Sequence, residues 1–149
     1  YDAMRSAEGK ALENDLRGRG QTILELVSQV EAGSGQTVID YRTRLENKLK
    51  EVLANTAIDE SRILTEAAIF ADKVAVDEET VRLRSHLDQM NHMLTAGGAI
   101  GRKLDFLLQE MNRESNTIGS KCSDVRLARI VVEIKAELEK IREQTQNIE

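Results

Sequence analysis

Apolar residues recur at alternating four- and three-residue steps near both ends of the chain, and this spacing constrains the fold more than any other feature. The N-terminal series is Leu12, Leu16, Ile23, Leu26 and Val30, with Arg19 at one of its positions. The C-terminal series is Leu127, Val131, Ile134, Leu138, Ile141 and Ile148, with Thr145 as its polar member. Such a period places each series on one side of an α-helix. It predicts long amphipathic helices that pack on one another or on another copy of the chain.

Composition favours the same fold class. The 149 residues include no proline, and aromatic residues make up only 3% of them. Good helix formers dominate, whereas the β-branched and aromatic residues that suit strands are scarce. We therefore expect one all-α domain, a bundle of long antiparallel amphipathic helices that forms oligomers.

Turn signals divide the N-terminal part of the predicted bundle. Ala32-Gly33-Ser34-Gly35 predicts a break after a helix that ends near Glu31. A second helix from Gln36 to Leu53 would then fold back, so that residues 1–54 form a helical hairpin. Its expected inward residues are Val38, Tyr41, Leu45, Leu49 and Val52.

Three further helices and a C-terminal one follow from the same signals. Asp59 is the predicted N-cap of a short helix that ends near Phe70. Asp77 is predicted to cap the next helix, which Gly97-Gly98 ends. Its expected buried residues are Leu83, Leu87, Met90 and Leu94. The following helix begins near Ala99, with an expected interruption near Gly119, and the last one begins near Ser123.

Charge and cysteine content limit the class of protein. The formal net charge of −5 does not support a generally basic nucleic-acid surface, although a local basic stripe is compatible with it. The single cysteine, Cys122, excludes an intrachain disulfide and is typical of a reducing compartment. No apolar run approaches the roughly 20 residues of a membrane span. We expect a cytoplasmic protein without a membrane partner, and the lack of an initiator methionine suggests a piece of a longer one.

The helix predicted from Ala99 to Lys121 has an unusual polar side. Its apolar side carries Ile100, Leu104, Leu107, Leu108 and Met111, and the opposite side carries Arg102, Asp105, Gln109, Asn112, Arg113 and Asn116. Asn and Asp are poor helix formers because their side chains compete for backbone hydrogen bonds. Such local conflicts occur at functional sites or at buried polar contacts. Spacing alone favours packing against a neighbouring helix.

The preceding helix offers residues that suit metal binding or acid–base chemistry. Glu79, Arg82 and His86 recur at three- and four-residue steps, and Glu78 adjoins Glu79. Carboxylates and an imidazole bind divalent cations or transfer protons. A histidine at the edge of an apolar stripe is more often a hydrogen-bonded interface residue, and this alternative stays open.

The run from Gly101 to Lys121, GRKLDFLLQEMNRESNTIGSK, resembles the hallmark of the YicC/YloC family of bacterial endoribonucleases. The resemblance extends upstream to Glu78-Glu79, Arg82-Leu83 and Ser85-His86, and downstream to the ending EQTQNIE. It implies that residues 1–149 are one C-terminal helical domain that follows an N-terminal α/β domain. It also implies RNA as the partner, cleavage assisted by a divalent cation, with Mn²⁺ favoured and Mg²⁺ as the alternative, and a homo-oligomer, expected to be a hexamer.

The resemblance assigns the chemistry to residues 59–121 and leaves residues 123–149 as a C-terminal helix. The expected metal ligands are Glu78, Glu79 and Asp105. The expected catalytic residues are His86, Asp105 and Glu110. The expected RNA contacts are Arg82, Arg102, Gln109, Asn112, Arg113 and Asn116. Ala75 stands where many members carry an aspartate, so a ligand at that position is absent or shifted here.

Two other functions remain open from the sequence. The long helices also fit a module for oligomerisation and RNA clamping, with the chemistry mainly in another domain. A third hypothesis is an RNA-binding regulator without catalysis, which the acidic net charge disfavours.

Overall fold

The computed structural model describes residues 2–53, 59–122 and 124–146. In this part of the chain all regular structure is helical, which confirms the predicted all-α class. The helices are α1 (Asp2–Val52), α2 (Glu60–Val74), α3 (Asp77–Ala96), α4 (Gly101–Lys121) and α5 (Val125–Gln146).

Four of these helices, α1, α3, α4 and α5, pack side by side as an antiparallel bundle. Contacts between their polar residues fix the directions, since Arg17 of α1 lies near Thr95 of α3 while Glu31 pairs with Arg84. In the same way Glu79 and Lys121 pair across α3 and α4. The two predicted apolar stripes fill the core, together with residues of α3 and α4 that include Leu83, Met90, Leu104, Met111 and Ile118.

The predicted break at residues 32–35 is wrong, because α1 continues through it as one helix of 51 residues. Neither Gly33 nor Gly35 adopts a positive φ, so both fit a helix. Gly33 lies against Leu127 of α5, and a Cβ at Gly33 would come within 2.6 Å of that side chain. The glycine therefore permits a close approach of two helices, which sequence alone does not distinguish from a turn.

A helical hairpin does exist, but between the last third of α1 and α2. We call residues 38–53 and α2 the arm. Tyr41 stacks on Phe70 with ring centroids 3.9 Å apart, and Ile63 and Ala67 are buried. Asp59 caps α2 by accepting hydrogen bonds from the amides of Ser61 and Arg62, as predicted. Val52, predicted to face inward, is exposed.

The remaining helix ends depart from the prediction in several places, and α2 ends at Val74, four residues beyond the predicted Phe70. Gly97 and Gly98 end α3 with positive φ angles, as their sequence predicted. The N-cap of α3 is Val76, which makes no side-chain cap, so the predicted role of Asp77 is wrong. The predicted interruption at Gly119 is also wrong, because α4 is continuous and this glycine packs near Val131. The last helix begins at Val125, two residues after the predicted start.

Thr145, the polar member of the C-terminal series, is buried and donates to the carbonyl of Ile141, whereas Ser123 and Ile148 lie outside the described residues. Among the described helices, none combines the length and apolar character that crossing a bilayer requires.

Candidate functional site

Three potential metal ligands meet between α3 and α4. His86 of α3 and Glu110 and Glu114 of α4 each offer one ligand atom, and these atoms lie within 4.8 Å of one another. The four-residue spacing places both carboxylates on the same side of α4. Antiparallel packing then brings that side against His86. We call these residues the His–Glu cluster.

Burial in the His–Glu cluster leaves polar atoms without partners. Glu114 is only 2% exposed, and neither its Oε1 atom nor Nδ1 of His86 has a hydrogen-bond partner among the described residues. Unpaired buried polar atoms are costly, so each one calls for an explanation. An imidazole nitrogen with two carboxylates is a donor set that suits first-row divalent cations. The residues present therefore fit a divalent cation.

Two exposed arginines adjoin the same carboxylates. Arg113 lies 2.9 Å from Glu110 and 3.8 Å from Glu114, and Arg82 lies 3.5 Å from Glu114. Their guanidinium groups offset part of the negative charge of the cluster. Because both side chains reach solvent, they can also bind a phosphate, for which the planar guanidinium is suited.

A partly buried ion pair joins the same two helices. Lys121 Nζ donates to Glu79 over 2.8 Å and to the carbonyl of Ala75 over 3.0 Å. Burial opposes ionisation of Glu79, but the hydrogen bond from Lys121, a backbone hydrogen bond and the charges of Lys121 and Arg82 lower its pKa below the ordinary 4.5. Glu79 thus holds the end of α4 against the start of α3. Ala75 takes part through its backbone alone.

Asp105 lies on a different side of α4. With Leu108, Gln109 and Asn112 it faces α5 across a groove of about 330 Å³, which we call the α4/α5 groove. Gln109 donates to Asp105 over 3.1 Å. The other wall consists of Lys135, Leu138, Glu139, Arg142 and Gln146. The expected grouping of Asp105 with Glu79 and His86 is therefore not formed.

The other expected site residues are distributed over α3 and α4. Glu78 is exposed in the first turn of α3, 3.5 Å from Arg82. Arg102 and Asn116 are exposed on α4. Glu110 lies on the α3 side of α4, away from Asp105.

Comparison with known proteins decides the family. Residues 30–149 match the sequence model of a protein family that is described as "Endoribonuclease YicC-like, C-terminal". This chain belongs to the YicC-like family.

Its relatives are about twice as long. The chain is 49% identical over 147 residues to the probable endoribonuclease YicC of Clostridioides difficile (strain 630), which covers 98% of this chain and 50% of that protein. It is 36% identical over 149 residues to the probable endoribonuclease YicC of Haemophilus influenzae, covering 100% of this chain and 51% of that protein. The chain thus spans about half the length of these curated YicC relatives, and the resemblance read from its sequence is confirmed.

Sequence reasoning missed two residues of the candidate site, Glu114 and Lys121. Both lie in the run that carries the family resemblance, yet neither falls on the polar stripe of Asp105 and Asn112. A signal was available, because the four-residue step from Glu110 to Glu114 puts a carboxylate at the edge of the apolar stripe. His86 likewise lies at the edge of the apolar stripe of α3. Polar residues at the edges of two packed stripes predict a buried polar contact between the two helices.

Proposed function

We propose that this chain is the part of a divalent-cation-assisted endoribonuclease that holds the cation and the cleaved phosphodiester. The observation that carries the proposal is the His–Glu cluster, in which buried His86 and Glu114 atoms lack partners beside exposed arginines. The names of the two relatives, probable endoribonucleases, support RNA as the substrate.

In this proposal His86, Glu110 and Glu114 hold the cation, and Mn²⁺ is favoured over Mg²⁺ because Mg²⁺ prefers oxygen ligands. Such a cation supplies charge stabilisation at phosphate oxygens and a lower pKa for water. Glu78 and Glu79 keep Arg82 and Lys121 in position rather than serving as ligands.

The proton and phosphate roles fall to the more accessible groups of the cluster. Glu110 is less buried than Glu114, so of the two carboxylates that hold the cation it is the one whose second oxygen can accept a proton from the attacking group. Arg82 and Arg113 move from the carboxylates to the phosphate when RNA binds. Arg102, Asp105, Gln109, Asn112 and Asn116 contact RNA away from the cleaved bond.

Metal binding can be tested without activity. At 100 times its Kd, Mn²⁺ should stabilise the chain by about 2.7 kcal/mol. For a chain of this size that corresponds to a rise in Tm of about 5–10 °C. Glu114→Gln and His86→Ala should abolish the rise, whereas Asp88→Asn, an exposed carboxylate of α3, should retain it. Equal shifts in all four proteins would contradict the cluster as the metal site.

Cleavage is measured in a protein of the relatives' full length that contains this chain. Glu114→Gln and His86→Ala should lower the Mn²⁺-dependent cleavage rate of single-stranded RNA at least about a hundredfold, because both the cation and its charge stabilisation are lost. Circular dichroism checks that the helices persist. Wild-type rates in both variants would refute the proposal.

The arm favours a second candidate function, an oligomerisation and RNA-clamp module without catalysis. It exposes Ile39, Leu64 and Ile69, which a second copy of the chain would cover. Under this alternative, Glu114→Gln leaves cleavage by the full-length protein unchanged. Ile39→Asp or Leu64→Asp then lowers both the mass of the particle, measured by light scattering, and RNA affinity.

A further inference from the structure

The outer surface of α4 connects the His–Glu cluster with the α4/α5 groove. At 100° per residue, Phe106 and Arg113 point between the directions of Glu110, which faces α3, and Asp105, which faces α5. Both intermediate side chains are exposed. A single-stranded RNA bound at the His–Glu cluster would therefore pass Arg113 and Phe106 before it reaches the α4/α5 groove.

Phe106 is unusual among the aromatic residues of the described structure. Its side chain is 61% exposed, whereas Tyr41 and Phe70 stack on each other in the arm. A single exposed apolar residue is common on protein surfaces. Phe106, however, lies one turn from Glu110 on the surface that leads away from the cluster. An exposed aromatic ring beside cationic groups is the usual platform for an unpaired base.

The charges of the α4/α5 groove suit a base better than a phosphate. Asp105 and Glu139 contribute two negative charges, and Lys135 and Arg142 contribute two positive ones. A phosphate placed there would gain no net attraction, because the two carboxylates offset the two cations. The edge of a nucleobase is neutral and carries donors and acceptors together, which these groups and the amides of Gln109 and Asn112 can match.

The volume of the α4/α5 groove and the hydrogen bond between two of its lining side chains suit the binding of one nucleotide. About 330 Å³ lies at the lower end of the range for ligand pockets, and it cannot take a duplex. The hydrogen bond from Gln109 to Asp105 orients both side chains before any ligand binds. Preorganised polar groups lose less entropy on binding, which favours specific recognition.

We propose that a single strand of RNA crosses the outer surface of α4, with one base stacked on Phe106 and a neighbouring base edge in the α4/α5 groove. The strand continues past Arg113 to the His–Glu cluster, where the cleaved phosphate lies. This track rests on the proposed function for its substrate. It adds the α5 residues Lys135, Glu139 and Arg142 to the binding surface.

The test measures binding of a fluorescent single-stranded RNA to the full-length protein in EDTA, where metal-assisted cleavage is off. Stacking is worth about 1–3 kcal/mol per base, so Phe106→Leu should raise Kd by about 5- to 150-fold. Phe106→Trp should retain wild-type Kd. Val132→Ala, at an exposed apolar residue of α5 outside the groove, is the control and should change nothing.

A second pair of variants tests the groove. Asn112→Ala and Lys135→Ala should each raise Kd at least about fivefold, because a base-edge contact is lost. Lys140→Ala removes another exposed cation of α5, outside the groove, and should have no effect. Sequencing of cleavage products should show that Asn112→Ala weakens a nucleotide preference at a fixed distance from the cut.

Several results would overturn the track. Wild-type affinity in Phe106→Leu and Asn112→Ala would do so, and so would equal losses in Lys135→Ala and Lys140→Ala. If a free nucleoside monophosphate displaced the RNA with a Kd equal to that of the RNA itself, the groove would be a site for free nucleotides. Failure of the proposed function gives a different pattern, in which Glu114→Gln cleaves normally while Phe106→Leu still loses RNA affinity.

Discussion

Two glutamates of this molecule are buried between α3 and α4, and their partners differ. One oxygen of Glu79, Oε1, pairs with Lys121 at 2.8 Å, and Lys121 also donates to the carbonyl of Ala75; the other oxygen, Oε2, has no hydrogen-bond partner among the described residues. Glu114 is approached only from 3.5 Å and 3.8 Å by arginines that reach solvent. A buried carboxylate without a close partner is unstable unless another positive charge reaches it. This contrast separates a structural ion pair from a site prepared for a cation.

The lowered pKa of Glu79 makes stability depend on pH. A carboxyl whose folded pKa is below its unfolded value stabilises the fold fully above the unfolded value, and the contribution is lost as pH falls through the folded one. Glu79→Gln keeps a hydrogen-bond acceptor for Lys121 but removes the charge. We expect the variant to be about 1 kcal/mol less stable at neutral pH, since hydrogen bonds to charged groups are stronger.

Urea denaturation at several pH values checks this expectation. The difference between wild type and Glu79→Gln should narrow as pH falls below the ordinary carboxyl pKa of 4.5. Glu78→Gln, at the exposed neighbouring position, serves as the control, and its free energy of unfolding should depend on pH as that of wild type does. A constant difference between Glu79→Gln and wild type at all pH values would show that the charge of Glu79 is not responsible.

At the scale of elements, the glycines of α1 show why this helix does not break. Gly20 and Gly33 face neighbouring helices, where an added Cβ would come within 2.8 Å of Met90 and 2.6 Å of Leu127. Gly18 and Gly35 have open space around the position of a Cβ. The first pair allows close helix packing, whereas the second pair only lowers helix propensity.

Substitution by alanine separates these two roles. Gly35→Ala should stabilise the chain by about 0.5–1 kcal/mol, because alanine is the better helix former. Gly33→Ala gains the same propensity but must displace Leu127, and such overpacking costs about 1–3 kcal/mol. We therefore expect Gly33→Ala to be the less stable variant by about 1–3 kcal/mol in thermal or urea unfolding. A loss of stability in Gly35→Ala would indicate that α1 is not continuous there.

At the scale of the whole molecule, the bundle and the arm differ in how much they bury. The bundle is closed by four helices around a shared apolar core. In α2 the buried residues are Ile63 and Ala67, packed on one side of α1. Regions with few buried apolar contacts open at lower free energy than the core.

Hydrogen exchange should show this difference. We expect amides of residues 41–53 and 60–72 to exchange faster than those of residues 104–118 under native conditions, because the arm opens while the bundle stays closed. Ile63→Ala should accelerate exchange in the arm without changing the bundle. Equal protection of both regions, or acceleration throughout the chain by Ile63→Ala, would mean that the molecule unfolds as one unit.

Part of the candidate site was predictable from the sequence. His86, Arg82, Glu110 and Arg113 were expected from their spacing and from the family resemblance, and the structure places all of them around one cluster. Spacing also indicated that Glu110 is rotated away from Asp105, but neither the role of Glu114 nor the groove against α5 that Asp105 lines was predicted. Helical spacing gives the direction of a side chain from its own axis, but not which neighbouring helix lies in that direction.

The sequence by itself determined the helical class, the apolar stripes and the stop at Gly97-Gly98, because periodicity and backbone preference act within one segment. Tertiary structure decided that residues 32–35 stay helical, since only the packing of Leu127 shows that Gly33 lies at a close contact between helices and not in a turn. It also decided that α4 faces His86 with one side and the α4/α5 groove with another. Contacts between helices depend on their arrangement, which no local pattern encodes.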